Sequence, residues 1–159
     1  MTILQIEDVK SFMKYLLMED KFDTFELIKG SITTYNTVAI DGLIQKDFYG
    51  SEYDSSDLYG YDYTPWSKAK ELAFQLIKGK RTPLSFKFVL RAGNTLLTQV
   101  LTNLPEESIQ HISSLILNIK FDSQGLSIVT GTSQTSFSLD KSADEVWDKW
   151  ATNFIQGMQ

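Results

Sequence analysis

Three closely spaced cations, Lys78, Lys80 and Arg81, are the residues whose type and spacing best suit binding chemistry. They sit where a helical pattern ends and a strand pattern begins, with Lys87 a few residues on. Ammonium and guanidinium groups at such a junction can hold a phosphate or a nucleic-acid backbone. The same charges also suit a helix C-terminus, where each contributes about 0.3–1 kcal/mol against the macrodipole. A second candidate is the run 47–63. It holds five tyrosines (Tyr49, Tyr53, Tyr59, Tyr61, Tyr63) among five acids, and no base. Tyrosine gives large contact area at low entropic cost, so Tyr53, Tyr59 and Tyr61 are candidates for a recognition loop.

Other chemistries are narrowed by what the chain lacks. It has no cysteine and one histidine, His111. Disulfides, thiolate zinc sites, iron–sulfur clusters and cysteine nucleophiles therefore fall away, and a histidine-rich metal site cannot be assembled. Asp54-Ser55-Ser56-Asp57 lacks the spacing of a calcium loop. No glycine-rich phosphate loop is present. A Ser–His–Asp arrangement would lack a nucleophile elbow, and no cofactor or metal is expected. His111 is expected at the surface, near the end of a short helix. Thr130, Thr132, Ser133, Thr135, Ser136 and Ser138 read as the wet face of a strand, with Gly131 marking a bulge.

The elements that must position these groups follow from periodicity. Residues 2–6 read as a strand. Val9, Phe12, Met13, Leu16 and Leu17 place a helix over 7–18. Phe25, Leu27 and the run 32–40 read as strands, with Ile32, Val38 and Ile40 on one face. Asp41-Gly42 predicts a hairpin turn, and a further strand from Leu43. Thr64 as N-cap and Pro65 at the first helical position start a helix that ends near Gly79. Phe86, Phe88 and Leu90 alternate with Lys87 and Arg91 in a strand over 84–91, which points Lys87 and Arg91 to solvent. A helix near 93–103, a helical turn after Pro105 and a strand through Leu115, Leu117, Ile119 and Phe121 follow. Asp122–Gly125 is a turn, and 126–130 and 135–139 are strands. Ser142 and Glu145 form a capping box for a closing helix over 142–157, with Trp147, Trp150 and Phe154 on its core stripe.

The order strand, helix, three strands thus occurs twice, in modules of about 1–46 and 84–140. The expected fold is α+β, with two βαβββ-like modules, antiparallel sheets and a C-terminal helix. The 159 residues suit a single domain over 1–159, with the acidic loop 47–63 between the modules. The net charge is −5, yet residues 64–104 hold seven bases and one acid, an asymmetry that bears on partners. No signal peptide and no run of about 20 apolar residues is present, which leads to a cytoplasmic expectation with no membrane partner.

The runs Gln75–Lys87 (QLIKGKRTPLSFK) and Thr130–Ser133 through Phe137–Ser142 resemble the signature of a small uncharacterised bacterial family, over most of the chain. That resemblance implies no activity. More weakly, Phe86–Val89, Leu115–Ile119 and Gly125–Thr132 are similar to one βαβββ module of the bacterial DNA sliding clamp. A clamp domain sets two such modules side by side. The helix over 7–18 sums to zero charge and the helix near 93–103 has none, unlike the basic helices of a clamp.

Together these features favour a non-enzymatic binding or assembly domain that engages a protein partner or itself. The alternatives are an enzyme acting on an anionic or phosphorylated small molecule at Lys78, Lys80, Arg81 and Lys87, and weak nucleic-acid association through the basic middle.

Overall fold

The structure is a computed structural model that describes residues 1–158. The elements run β1 (Ile3–Ile6), α1 (Val9–Leu17), β2 (Phe25–Thr33), β3 (Thr37–Asp41), two short 3₁₀ turns (Lys46–Phe48 and Gly50–Ser55), β4 (Thr64–Pro65) and α2 (Trp66–Ile77). They continue with β5 (Ser85–Ala92), α3 (Asn94–Leu101), α4 (Glu106–Ile109), β6 (Ile112–Asp122), β7 (Gly125–Gln134) and α5 (Ser142–Gln156). The α+β class, the antiparallel pairing and the C-terminal helix agree with the reading of the sequence.

All strands join one seven-stranded sheet in the order β1-β7-β6-β5-β2-β3, with the two-residue β4 also paired to β2. Separate module sheets are therefore absent among the described residues, and the strand pairing does not repeat. β5 pairs with both β2 and β6, whereas β1 pairs only with β7. β6 and β7 are followed by no third strand, because 135–139 is irregular chain. The likeness to a sliding-clamp module is thus not supported by the pairing.

One face of the sheet is apolar by alternation. Phe86, Phe88 and Leu90 stand opposite Phe121, Ile119 and Leu117, and Ile119 stands opposite Ile128. These side chains, with Phe121 only partly buried at the margin, form the core with Phe12 and Leu16 of α1, Trp66 and Ala73 of α2, Val100 of α3, and Trp147 and Ala151 of α5. Two buried tryptophans tie helices to their surroundings. Trp66 Nε1 donates to the Leu16 carbonyl at 2.8 Å, and Trp147 Nε1 donates to the Ile116 carbonyl at 3.0 Å. Trp147 is fully buried, while Trp150 and Phe154 are half-buried, stacked rings beside Phe25. The opposite parity carries Lys29, Lys87, Asn118, Lys120 and Ser127, as expected where helices cover one face only.

Several local expectations are corrected. The β2–β3 hairpin turns at 34–36, so Asp41 closes β3 and Gly42 does not make the turn. Ile32 and Val38 share a face because they are direct cross-strand partners. Asp41 Oδ1 instead accepts from Leu43 N at 3.0 Å, and Leu43 makes only an isolated bridge to Tyr63. Gly42 is needed for closeness: a Cβ there would lie 1.8 Å from the Leu27 carbonyl oxygen. Thr64 and Pro65 belong to β4, and the Thr64 hydroxyl donates to the Gly42 carbonyl at 2.8 Å rather than capping α2. Gly131 pairs in register with Ile116; the bulge of this hairpin falls between Ile112 and Ser114. Ser142 is the first helical residue of α5, so the capping box does not form. Asp140 accepts the Ser142 N–H at 2.9 Å in its place.

Candidate functional site

A cleft of about 800 Å³ opens where β2 begins and β5 ends, which is the size range of small-molecule sites. The two strands bring Glu26 and Arg91 into direct register, and Arg91 Nε donates to Glu26 Oε1 at 2.8 Å. Glu26 is 8% exposed and Arg91 21%, so the pair is largely withdrawn from water. Arg91 Cζ lies over the Tyr63 ring, 4.6 Å from its centroid, a cation–π contact. Its terminal nitrogens have no acceptor among the described residues. With Nε bound to Glu26 and the group over Tyr63, the two terminal nitrogens remain as a fork of donors.

Gly93 leads into α3 at the same cleft, and no side chain among the described residues caps that helix. A Cβ at Gly93 would lie 2.9 Å from the Thr24 carbonyl oxygen and 3.5 Å from Glu26 Oε2. Glycine therefore lets the helix start approach the ion pair. The uncapped N–H groups of Asn94 and Thr95 add partial positive charge beside Arg91. Two further carboxylates line the cleft. Asp23 is paired with Lys70 at 2.8 Å, whereas Asp62 has no ion-pair partner among the described residues.

The loop 47–63 supplies the outer wall. Tyr59 and Tyr61 are exposed and line the cleft. Tyr53 does not face it: its hydroxyl accepts from Gly60 N at 3.1 Å, and its ring packs on Tyr59 while Lys46 Nζ lies 5.6 Å above it. Tyr53 thus shapes the loop that carries the other two. The loop leans on the basic segment through Lys68–Asp57 at 3.4 Å and through Tyr63 on Arg91.

The anion-binding candidates are not gathered at one place. Lys87 projects from β5 on the helix-free face, directly opposite Lys120. Lys78, Lys80 and Arg81 lie on the α2–β5 connection at the other end of β5, away from the cleft. Of the seven bases in 64–104, Lys68, Lys70 and Arg91 are already paired with acids. The sequence reading missed Glu26, although a lone acid inside the apolar run Phe25–Ile28 was a usable signal. It also placed Arg91 in solvent, because parity alone does not reveal a cross-strand partner.

His111 is buried, contrary to its expected surface position, and its Nε2 has no hydrogen-bond partner among the described residues. The turn after α4 tucks it under the chain that follows β7, where Thr135 N donates to the His111 carbonyl at 2.8 Å. Nearby, the Ser142 hydroxyl foremost, then the Ser142 N–H and the Ser108 hydroxyl, hold the Asp140 carboxyl down to about 2. No group of metal-binding side chains is assembled among the described residues, and no helix among them is long and apolar enough to cross a membrane.

No curated protein and no solved structure matches this chain. A family model does, over residues 15–159, and the chain accordingly belongs to the family of unknown function DUF5721.

Proposed function

We propose that this chain is a non-enzymatic binding domain that takes a small polar ligand in the cleft between the tyrosine loop and the start of α3. The observation that carries this reading is Arg91, immobilised by Glu26 and Tyr63 with its terminal nitrogens unused. Such a fork fits a carboxylate or phosphate oxygen pair, and the uncapped start of α3 favours the same charge. Asp62 and the cleft hydroxyls favour donors elsewhere on the ligand. The class is therefore an anionic molecule that also bears hydroxyl or amine groups, such as a sugar phosphate or an amino acid. Tyr59 and Tyr61 supply the apolar wall. The dispersal of the basic residues speaks against a nucleic-acid reading, since phosphate contacts need cations on one surface.

Calorimetric titration with glucose 6-phosphate, glutamate and inorganic phosphate tests this. Saturable binding of one of them, weakened about tenfold or more in Arg91→Lys, which retains charge but loses the fork, is the expected result. Binding unchanged in both Arg91→Lys and Tyr61→Ala, or no binding by any of the three, would overturn the assignment.

A further inference from the structure

A second, smaller recess lies at the opposite end of β5. Its floor is apolar: Val9 and Met13 of α1, Ile77 at the end of α2, Pro83, and the stacked rings of Phe86 and Phe121, 5.2 Å apart. Lys80 and Arg81 form its rim. With Lys78 they are exposed, and none of the three makes an ion pair or a side-chain hydrogen bond among the described residues. They therefore do not hydrogen-bond the terminal carbonyls of α2, as cations that serve only to finish a helix often do. In a chain with 20 acids and 15 bases, three cations on one short connection beside an apolar floor, unpaired among the described residues, are an unused recognition pattern.

The volume, about 230 Å³, is below the usual range for a whole small-molecule ligand and suits one large apolar side chain. Lys80 and Arg81 sit on its rim and Lys78 precedes them on the same connection, so together they match negative charges placed beside the anchor on one side. We infer that this recess binds an acidic peptide segment of a partner protein, with one aromatic or large aliphatic side chain inserted between the rings and α1, and flanking carboxylates on Lys78, Lys80 and Arg81. The apolar anchor supplies affinity, and the rim charges select the sequence around it. This site is separate from the cleft at Arg91, and either can fail without the other.

The test is fluorescence anisotropy on the full chain, with a labelled peptide carrying one phenylalanine between runs of glutamate. Saturable binding that weakens as salt rises is expected, with a loss of about tenfold or more in Lys80→Glu/Arg81→Glu and a similar loss when the peptide phenylalanine becomes alanine. Both substituted residues are exposed, and circular dichroism verifies that the variant is folded. Equal binding by the charge-reversed variant, or by the peptide without phenylalanine, would overturn the proposal. So would preference for vesicles containing anionic lipid over the peptide, or sedimentation showing that a second copy of the chain occupies the recess.

Discussion

Arg91 Nε and Glu26 Oε1 meet at 2.8 Å across the β2–β5 register, 65 residues apart in the chain. The partners share one withdrawn environment, so removing either leaves a charge that water solvates poorly. Glu26→Ala should therefore destabilise the chain by about 3 kcal/mol, the lower end for breaking a buried pair. Lys68→Ala, which breaks the exposed pair with Asp57, should cost under about 1 kcal/mol. Urea midpoints measure both, and equal losses would show that the Glu26 pair is no better buried than the surface one.

Gly42 and Gly131 separate two reasons for glycine. A Cβ at Gly42 collides with the Leu27 carbonyl oxygen, whereas one at Gly131 meets nothing within 4 Å. Gly42→Ala should cost roughly 3 kcal/mol or more, because backbone must move. Gly131→Ala should change stability by less than about 1 kcal/mol. Thermal melts of the two variants check the contrast.

Asp140 gives a pH dependence with a definite sign. Its carboxyl is held at about 2, below the ordinary 3.8, so its charged form favours the folded chain. That contribution is present above pH 4 and is lost as pH falls toward 2. Asp140→Asn should be less stable than the parent at pH 6, and the gap should shrink between pH 4 and pH 2. Denaturation midpoints across that range report it. A gap that stays constant would mean that the carboxylate contributes nothing through its charge.

Trp66 donates to the Leu16 carbonyl from a fully buried position. Trp66→Phe keeps an aromatic ring but removes the donor, which should cost about 1–3 kcal/mol. Trp150→Phe, at a half-buried stacked ring, should cost less. A reversed order of the two in equilibrium unfolding would show that ring volume outweighs the hydrogen bond.

What the sequence determined by itself was local and periodic. Val9, Phe12, Met13 and Leu16 fall on one helical face, and Phe86, Phe88 and Leu90 alternate, so α1 and β5 were legible from spacing alone. The Asp122–Gly125 turn was legible too: Gly125 has φ +105° and Asp122 Oδ1 accepts from Gln124 N at 2.8 Å. Chemistry within a few residues decides such features, and the letters carry that chemistry. Asp41-Gly42 shows the limit, since its glycine is required by Leu27, a residue on the neighbouring strand. The run 135–139 alternates like a strand but has no strand of the sheet beside it. Only the tertiary structure placed β1 against β7, buried His111, and set Arg91 on Glu26 beside the tyrosine loop. These depend on which apolar strand faces stack in register over long sequence separations, and a period of two fixes the face of a residue without naming its neighbour.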